Sequence, residues 1–201
     1  IIVGGRSAAK YGELSKIAPT VDLTGDAKDF IGSVERNMET LGRIFGKEAE
    51  AAAEIGRLDA DVAALKRATA GKGKGLLILT TGGKISAYGP GSRFGVLHDA
   101  LGVEPAAPGL SIGNHGQPAS FEFILETNPD WLFVIDRDAA IGREGQSARQ
   151  LLDNELVRQT TAWRKGQVVY LDPANWYLVG GGLTGLHQSI DQIRQAFEKA
   201  S

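Results

Sequence analysis

The chain has 201 residues, 42% hydrophobic and 23% charged, with a formal net charge of −2. That is enough to build a core as one large or two small domains, and it carries no polyanion-binding signature, so nucleic acid is excluded as the expected partner. There is no cysteine, which removes disulfides, zinc thiolates, iron–sulfur clusters and thiol nucleophiles; the longest apolar runs, such as 76–79 and 131–135, fall far short of the roughly 20 residues of a membrane span.

In chain order, Ile1-Ile2-Val3-Gly4-Gly5 reads as a strand ending in a turn, and a chain that opens inside a strand reads as a piece of a longer protein. Residues 8–17 read as a short helix and Pro19-Thr20-Val21-Asp22 as an extended segment. A helical stretch without Pro follows. Val34, Met38, Leu41 and Phe45 recur at three- and four-residue steps and, after a break at Gly46, so do Ile55, Leu58, Val62 and Leu65. The second helix, 48–70, would extend roughly 33 Å, long enough to cross a small domain and connect two. Gly71-Lys72-Gly73-Lys74-Gly75 ends it in a loop. From there the pattern is strand, glycine turn, helix: strands at 76–80, 131–135 and 168–171, short helices at 94–101 and Phe121–Thr127, and a closing amphipathic helix marked by Leu183, Leu186, Ile190, Ile193 and Phe197. Residues 71–201 therefore read as a complete α/β domain and 1–47 as part of another, with 48–70 between them.

Three glycine-rich turns invite a nucleotide. Thr81-Gly82-Gly83-Lys84-Ile85 lacks the earlier Gly and the Ser/Thr after Lys that a P-loop needs. Gly89-Pro90-Gly91-Ser92-Arg93-Phe94-Gly95 has Phe where a dinucleotide turn needs its third Gly. Gly180-Gly181-Gly182 could offer amides to an anion, and is equally a flexible approach to the last helix. Neither G-x-S-x-G nor H-E-x-x-H is present.

Of three His, His98 and His187 fall in helices and read as solvated or partly buried helix residues. His115 sits in Ser111-Ile112-Gly113-Asn114-His115-Gly116-Gln117-Pro118, where neither core packing nor helix register accounts for an imidazole. Arg6, Arg93 and Arg137 each come after a predicted strand, where α/β sheets bind ligands. A solvated charge or a surface ion pair, as with Asp136 or Asp138 beside Arg137, is the simpler account of any one of them; together they are placed to converge on one anionic group. Tyr177, beyond the third strand, is either core padding or a phenol that reaches a ligand. A phenolate is a hard donor for Fe(III) and imidazole is acceptable to iron, but two such ligands are too few for a bare ion. If a chelator supplies four oxygens, His and Tyr fill the two remaining positions of an octahedron and the Arg groups offset the chelator's negative charge.

The stretch 79–95, with its Thr81-Gly82-Gly83-Lys84 and Tyr88-Gly89-Pro90-Gly91-Ser92-Arg93-Phe94-Gly95, resembles the siderophore-binding proteins of bacterial ABC importers. So do Asn114-His115-Gly116-Gln117, Phe133-Val134-Ile135-Asp136-Arg137 and Trp176-Tyr177-Leu178-Val179-Gly180-Gly181-Gly182. Within that family the chain is most similar to the enterochelin- and petrobactin-type catecholate subgroup. The resemblance implies an α/β, two-lobed periplasmic binding protein with a single long interdomain helix and the ligand in the cleft between the lobes. Residues 1–47 would be a partial N-terminal lobe, 48–70 the interdomain helix and 71–201 the C-terminal lobe. The N-terminal lobe is expected to be incomplete, because family members carry a further stretch of roughly 80–100 residues before the point matching Ile1, about half a small domain.

Carried over by position, the resemblance makes His115 and Tyr177 direct Fe(III) ligands and makes Arg6, Arg93 and Arg137 a cationic set facing the catecholate oxygens. Tyr88 and Trp176, inside the matching stretches, join the ligand-binding set. Glu122 matches a position where the family presents an acid to an arginine pocket of the permease; a solvated first-turn helix carboxylate is the alternative. The expected protein is periplasmic and not an enzyme. It has no intrinsic cofactor, takes Fe(III) only as a siderophore complex and passes it to an ABC permease; lipid anchoring of the parent is left open. The alternatives are a haem or cobalamin carrier of the same architecture and, from a different class, an enzyme that uses a glycine turn for a nucleotide or sugar phosphate.

Overall fold

The computed structural model describes residues 1–113 and 115–200, with Arg6 described by its backbone alone. The chain opens with β1 (Ile2–Val3), a 3₁₀ turn over Gly5–Lys10, α1 (Tyr11–Leu14) and β2 (Val21–Asp22), which pairs in parallel with β1. This turn and short helix replace the single helix expected at 8–17. After a second 3₁₀ turn, Ala27–Asp29, come α2 (Phe30–Phe45) and α3 (Glu48–Thr69), separated at Gly46 as the periodicity predicts. α3 buries Ala51, Leu58, Val62, Leu65 and Thr69 at steps that keep them on one stripe.

The remaining strands are β3 (Lys74–Thr81), β4 (Lys84–Tyr88), β5 (Glu104–Pro105), β6 (Gln117–Ala119), β7 (Trp131–Asp136) and β8 (Val168–Tyr170). They form a six-stranded sheet in the order β6-β4-β3-β7-β8, with β5 pairing with β3. β3, β7 and β8 run parallel, and their residues alternate between two cores. Leu77, Leu79, Phe133 and Ile135 face a core with Leu58 and Leu65 of α3 and with Leu186, Ile190, Ile193 and Phe197 of α10 (Leu183–Lys199). Leu76, Ile78, Leu132 and Val134 face the opposite core with Ile124, Leu152, Val157 and Ala162.

Two features depart from the expected strand, turn, helix pattern. First, Thr81 pairs with Lys84 across a two-residue loop, so β3 and β4 form an antiparallel hairpin. Gly82 and Gly83 have φ of 53° and 75°, the pair of positive values that a type I′ hairpin turn requires. This glycine pair is therefore a hairpin turn and not a phosphate loop. Second, the connections carry more short helices than expected: beside α4 (Val96–Asp99, one turn where 94–101 was expected) and α5 (Phe121–Thr127, as expected) come α6 (Arg137–Ala140), α7 (Ala148–Leu152), α8 (Glu155–Arg158) and α9 (Thr161–Arg164), which no periodicity announced. Side chains cap several of them; the Asn154 carboxamide oxygen, for example, accepts from Leu156 N and Val157 N at 3.1 Å each.

α3 is joined to α10 by polar contacts as well as apolar ones. His187 Nδ1 lies 2.7 Å from Asp61 Oδ2, and its Nε2 lies 4.0 Å from Glu54 Oε2. His187 is accounted for as a bridge between these helices. No helix among the described residues is long and apolar enough to cross a membrane.

Candidate ligand-binding site

The candidate site lies where the carboxyl ends of β3 and β7 and the segment after β8 meet. Beyond β8 the chain enters a π-helical turn, Ala174–Leu178. Such a turn sends neighbouring residues in different directions and recurs at functional sites. Trp176 is 7% exposed and belongs to the core, while Tyr177 is only partly buried.

Two arginines hold Tyr177. Arg137, the first residue of α6, donates from Nε to the Tyr177 phenol oxygen at 2.7 Å. Arg93, in the loop between β4 and α4, donates from Nη2 to the Tyr177 carbonyl oxygen at 2.8 Å, with its guanidinium carbon 4.5 Å from the centre of the Tyr177 ring and 4.7 Å from that of Phe94. The hydrogen bond to Tyr177, together with the charge that phenol can carry, raises Arg137 above the usual arginine value. Each guanidinium has five N–H donors, so these contacts orient both groups without using up their capacity for an anionic ligand.

Tyr88 ends β4 beside them, its ring in edge contact with Phe94 at 4.8 Å. Burial pushes its phenol up; the cationic Arg93 opposes this and Tyr177 adds to it, so the three side chains share one electrostatic neighbourhood. The His115 loop packs on the same place. A Cβ on Gly116, which has φ of 66°, would lie 2.8 Å from the Tyr88 ring and from Ala87 O. Only glycine lets this backbone approach so closely in that conformation. The loop is closed by Ser111 N donating to Gln117 Oε1 at 3.1 Å, and Leu110 covers the Gly89 turn that leads to Arg93. His115 is exposed on it.

Arg93 and Arg137 thus both contact Tyr177, with Tyr88 within electrostatic reach of Arg93 and Tyr177 and His115 on the adjoining loop. The other expected residues are placed as follows. Trp176, expected among the ligand contacts, has its indole packed in the core, and its Nε1 has no hydrogen-bond partner. Arg6 lies in the 3₁₀ turn after β1, and its side chain lies outside the described residues, as does Asn114 of the matching motif. Glu122 is exposed in the first turn of α5; hydrogen bonds from its own backbone N–H and from Ser120 hold its carboxyl below the usual value. Asp136, a possible ion partner of Arg137 by sequence, instead accepts from Ala139 N at 3.1 Å and Ala148 N at 2.8 Å. Asp138, the other possible ion partner by sequence, lies 3.9 Å from Arg137, and Thr81 accepts from it at 3.0 Å, a contact that the position of Thr81 in its glycine-turn motif did not signal. Among the described residues no group of three or more His, Asp or Glu is arranged to hold a metal ion, so a metal here would need donors from its own chelator.

A largely parallel sheet flanked by helices, a long helix packed between α2 and α10, and a polar cluster at the carboxyl ends of the strands define an α/β protein whose ligand site is expected at those strand ends. The chain belongs to the periplasmic binding protein family, whose sequence profile matches residues 1–174. It is 44% identical over 200 residues to the petrobactin-binding protein YclQ of Bacillus subtilis, covering 99% of this chain and 63% of that protein. It is 36% identical over 196 residues to the ferric-anguibactin-binding protein FatB of Vibrio anguillarum, covering 95% and 61%. The chain therefore spans less than two thirds of the length of these relatives. The crystal structure of YclQ superposes with a TM-score of 0.95 at 42% identity, over 98% of this chain and 70% of that one. That of the periplasmic catecholate-siderophore-binding protein VctP of Vibrio cholerae gives 0.89 at 31% identity, over 99% and 70%. All three relatives are binding proteins by name.

Proposed function

We propose that this chain is part of a periplasmic protein that binds a catecholate-type Fe(III)–siderophore between two lobes and delivers it to an ABC permease for iron uptake. The observation that carries the reading is the phenol of Tyr177, held by Arg137 and Arg93, next to Tyr88 and the His115 loop. A phenolate oxygen is a hard donor suited to ferric iron, and guanidinium groups complement the deprotonated oxygens of a chelate. Iron here is cargo. The siderophore supplies most of its inner sphere, and Tyr177 and His115 fill positions that a tetradentate chelator leaves open. The relatives support the same chemistry, since YclQ and FatB are named for siderophores and VctP for catecholates.

In this reading residues 1–47 belong to one lobe, 48–70 form the helix between lobes and 71–201 form the other lobe. Arg6 would approach the ligand from the first lobe, and Glu122, exposed at the start of α5, would meet the permease. The test is a titration with Fe(III)–catecholates of different denticity, followed by quenching of tryptophan fluorescence and by the visible catecholate-to-iron absorption. Saturable quenching at micromolar ligand or below, with a retained charge-transfer band, is expected. Failure of every ferric chelate to quench, or a response to haem, a corrinoid or a phosphate ligand instead, would overturn the reading.

A further inference from the structure

We infer that Thr81 and Asp138 are positioning residues of this site, holding the Arg137 guanidinium so that its Nε meets the Tyr177 phenol oxygen. The inference rests on the reading of the site as a ferric-chelate pocket and names what keeps its tyrosine in place. Arg137 Nη1 donates to Thr81 Oγ1 at 3.0 Å, and the Thr81 hydroxyl donates in turn to Asp138 Oδ1 at 3.2 Å. The other oxygen of Asp138 accepts from Gly82 N, within the β3–β4 hairpin turn. A line of hydrogen bonds therefore runs from the hairpin through Asp138, Thr81 and Arg137 to Tyr177.

The distances show why the hydroxyl matters. Arg137 Nη1 and Asp138 Oδ1 are 3.9 Å apart, beyond hydrogen-bond range, yet a cation and a carboxylate this close still attract each other. Asp138 is only 9% exposed. The Thr81 oxygen sits between them, accepting from one and donating to the other, and it keeps the guanidinium from closing onto the carboxylate. Without it, Arg137 has a competing partner one residue away, and the move that satisfies that partner takes Nε off Tyr177. Asp138 contributes from the other side by fixing the turn that carries Thr81.

The test compares Thr81→Val, which removes the hydroxyl at nearly constant shape, with Thr81→Ser, which restores it, and with Asp138→Asn, which keeps the size and an acceptor but removes the charge. With a tetradentate Fe(III)–catecholate, Thr81→Val is expected to weaken binding about tenfold, the scale of one hydrogen bond to a charged group, while Thr81→Ser stays within about twofold of the parent. A hexadentate chelate, which does not need Tyr177, should lose no more than about threefold. Asp138→Asn should act in the same direction as Thr81→Val. Hydrogen exchange of the Arg137 Nε–H, followed by NMR in the ligand-free protein, reads the positioning without any iron. It should be slow in the parent and in Thr81→Ser, and fast in Thr81→Val. Unchanged exchange in Thr81→Val, or equal affinity of parent and variant for the tetradentate chelate, would overturn the inference. If exchange responds and no protein binds any ferric chelate, it is the functional reading that fails.

Discussion

Tyr177 is gripped by two different interactions, a hydrogen bond at its phenol and a cation over its ring, and they make different demands on a substitution. Tyr177→Phe removes the donor oxygen but keeps the ring against Arg93. His115→Ala removes an imidazole from an exposed loop with little packing to lose. Each variant is expected to weaken a tetradentate Fe(III)–catecholate by about tenfold or more and a hexadentate one by no more than about threefold, because the latter leaves no vacant coordination position. Equal losses for both chelates in a quenching titration would show that neither residue enters the inner sphere. His115 was legible in the sequence because neither core packing nor helix register explains an imidazole in its loop, and Arg93, Arg137 and Tyr177 because each follows a predicted strand, where α/β sheets bind ligands. The contact of Thr81 with Asp138 was not. The two residues lie 57 positions apart and meet only through the pairing of β3 with β7. Adjacency in sequence did not show that Trp176 is buried in the core while Tyr177, packed against the same core, is only partly buried.

At the level of elements, α4 is tied to the residue preceding β5 and to β4 through His98, whose Nδ1–H donates to Val103 O at 2.9 Å. Burial lowers the His98 pKa from 6.5; backbone hydrogen bonds to Val103 and Tyr88 and the charge of Asp99 offset part of this. A histidine whose folded value is depressed contributes stability above its unfolded value, and that contribution is lost as pH falls through about 6.5 and below, since the unfolded chain then binds the extra proton. Thermal unfolding should therefore show the midpoint of the parent falling more steeply between about pH 7.5 and 5.5 than that of His98→Gln; parallel curves would rule His98 out as the cause. Glu35 of α2 behaves in the opposite sense. Burial and then Asp59 of α3 raise its carboxyl above 4.5, so its charged form is disfavoured in the fold and stability is lost as pH rises through that raised value. Glu35→Gln should raise the melting midpoint at pH 7 by up to about 2 °C and leave it unchanged near pH 4, the modest scale of a partly solvated charge. Long periodic elements such as α3 and α10, and uniformly apolar ones such as β7, were readable from sequence. β4 was not, because a glycine pair after a strand reads equally as a loop before a helix, and the hairpin is decided by the sign of φ at Gly82 and Gly83.

Across the whole molecule, order is unevenly supported. β3 and β7 are buried on both faces, whereas among the described residues of 1–29 only Val3 is fully buried, and β1 and β2 form a parallel pair of two residues each. Ile2, Ile17 and Phe45 are 55%, 77% and 66% exposed. Few buried contacts mean low local opening energies. Amide hydrogen exchange should be complete across residues 1–29 well before it begins in β3 and β7, with α3 in between; uniform protection from end to end would contradict this.

The five side chains of the candidate site that the structure describes all ride on the elements from β3 onward. A ligand meeting that surface finds its recognition groups already assembled, and no reorganisation of distant parts stands between encounter and capture. If the proposed function holds, the segment before α3, which carries Arg6, would act on escape of the ligand. Truncating or loosening that segment should shorten residence time and leave the association rate almost untouched.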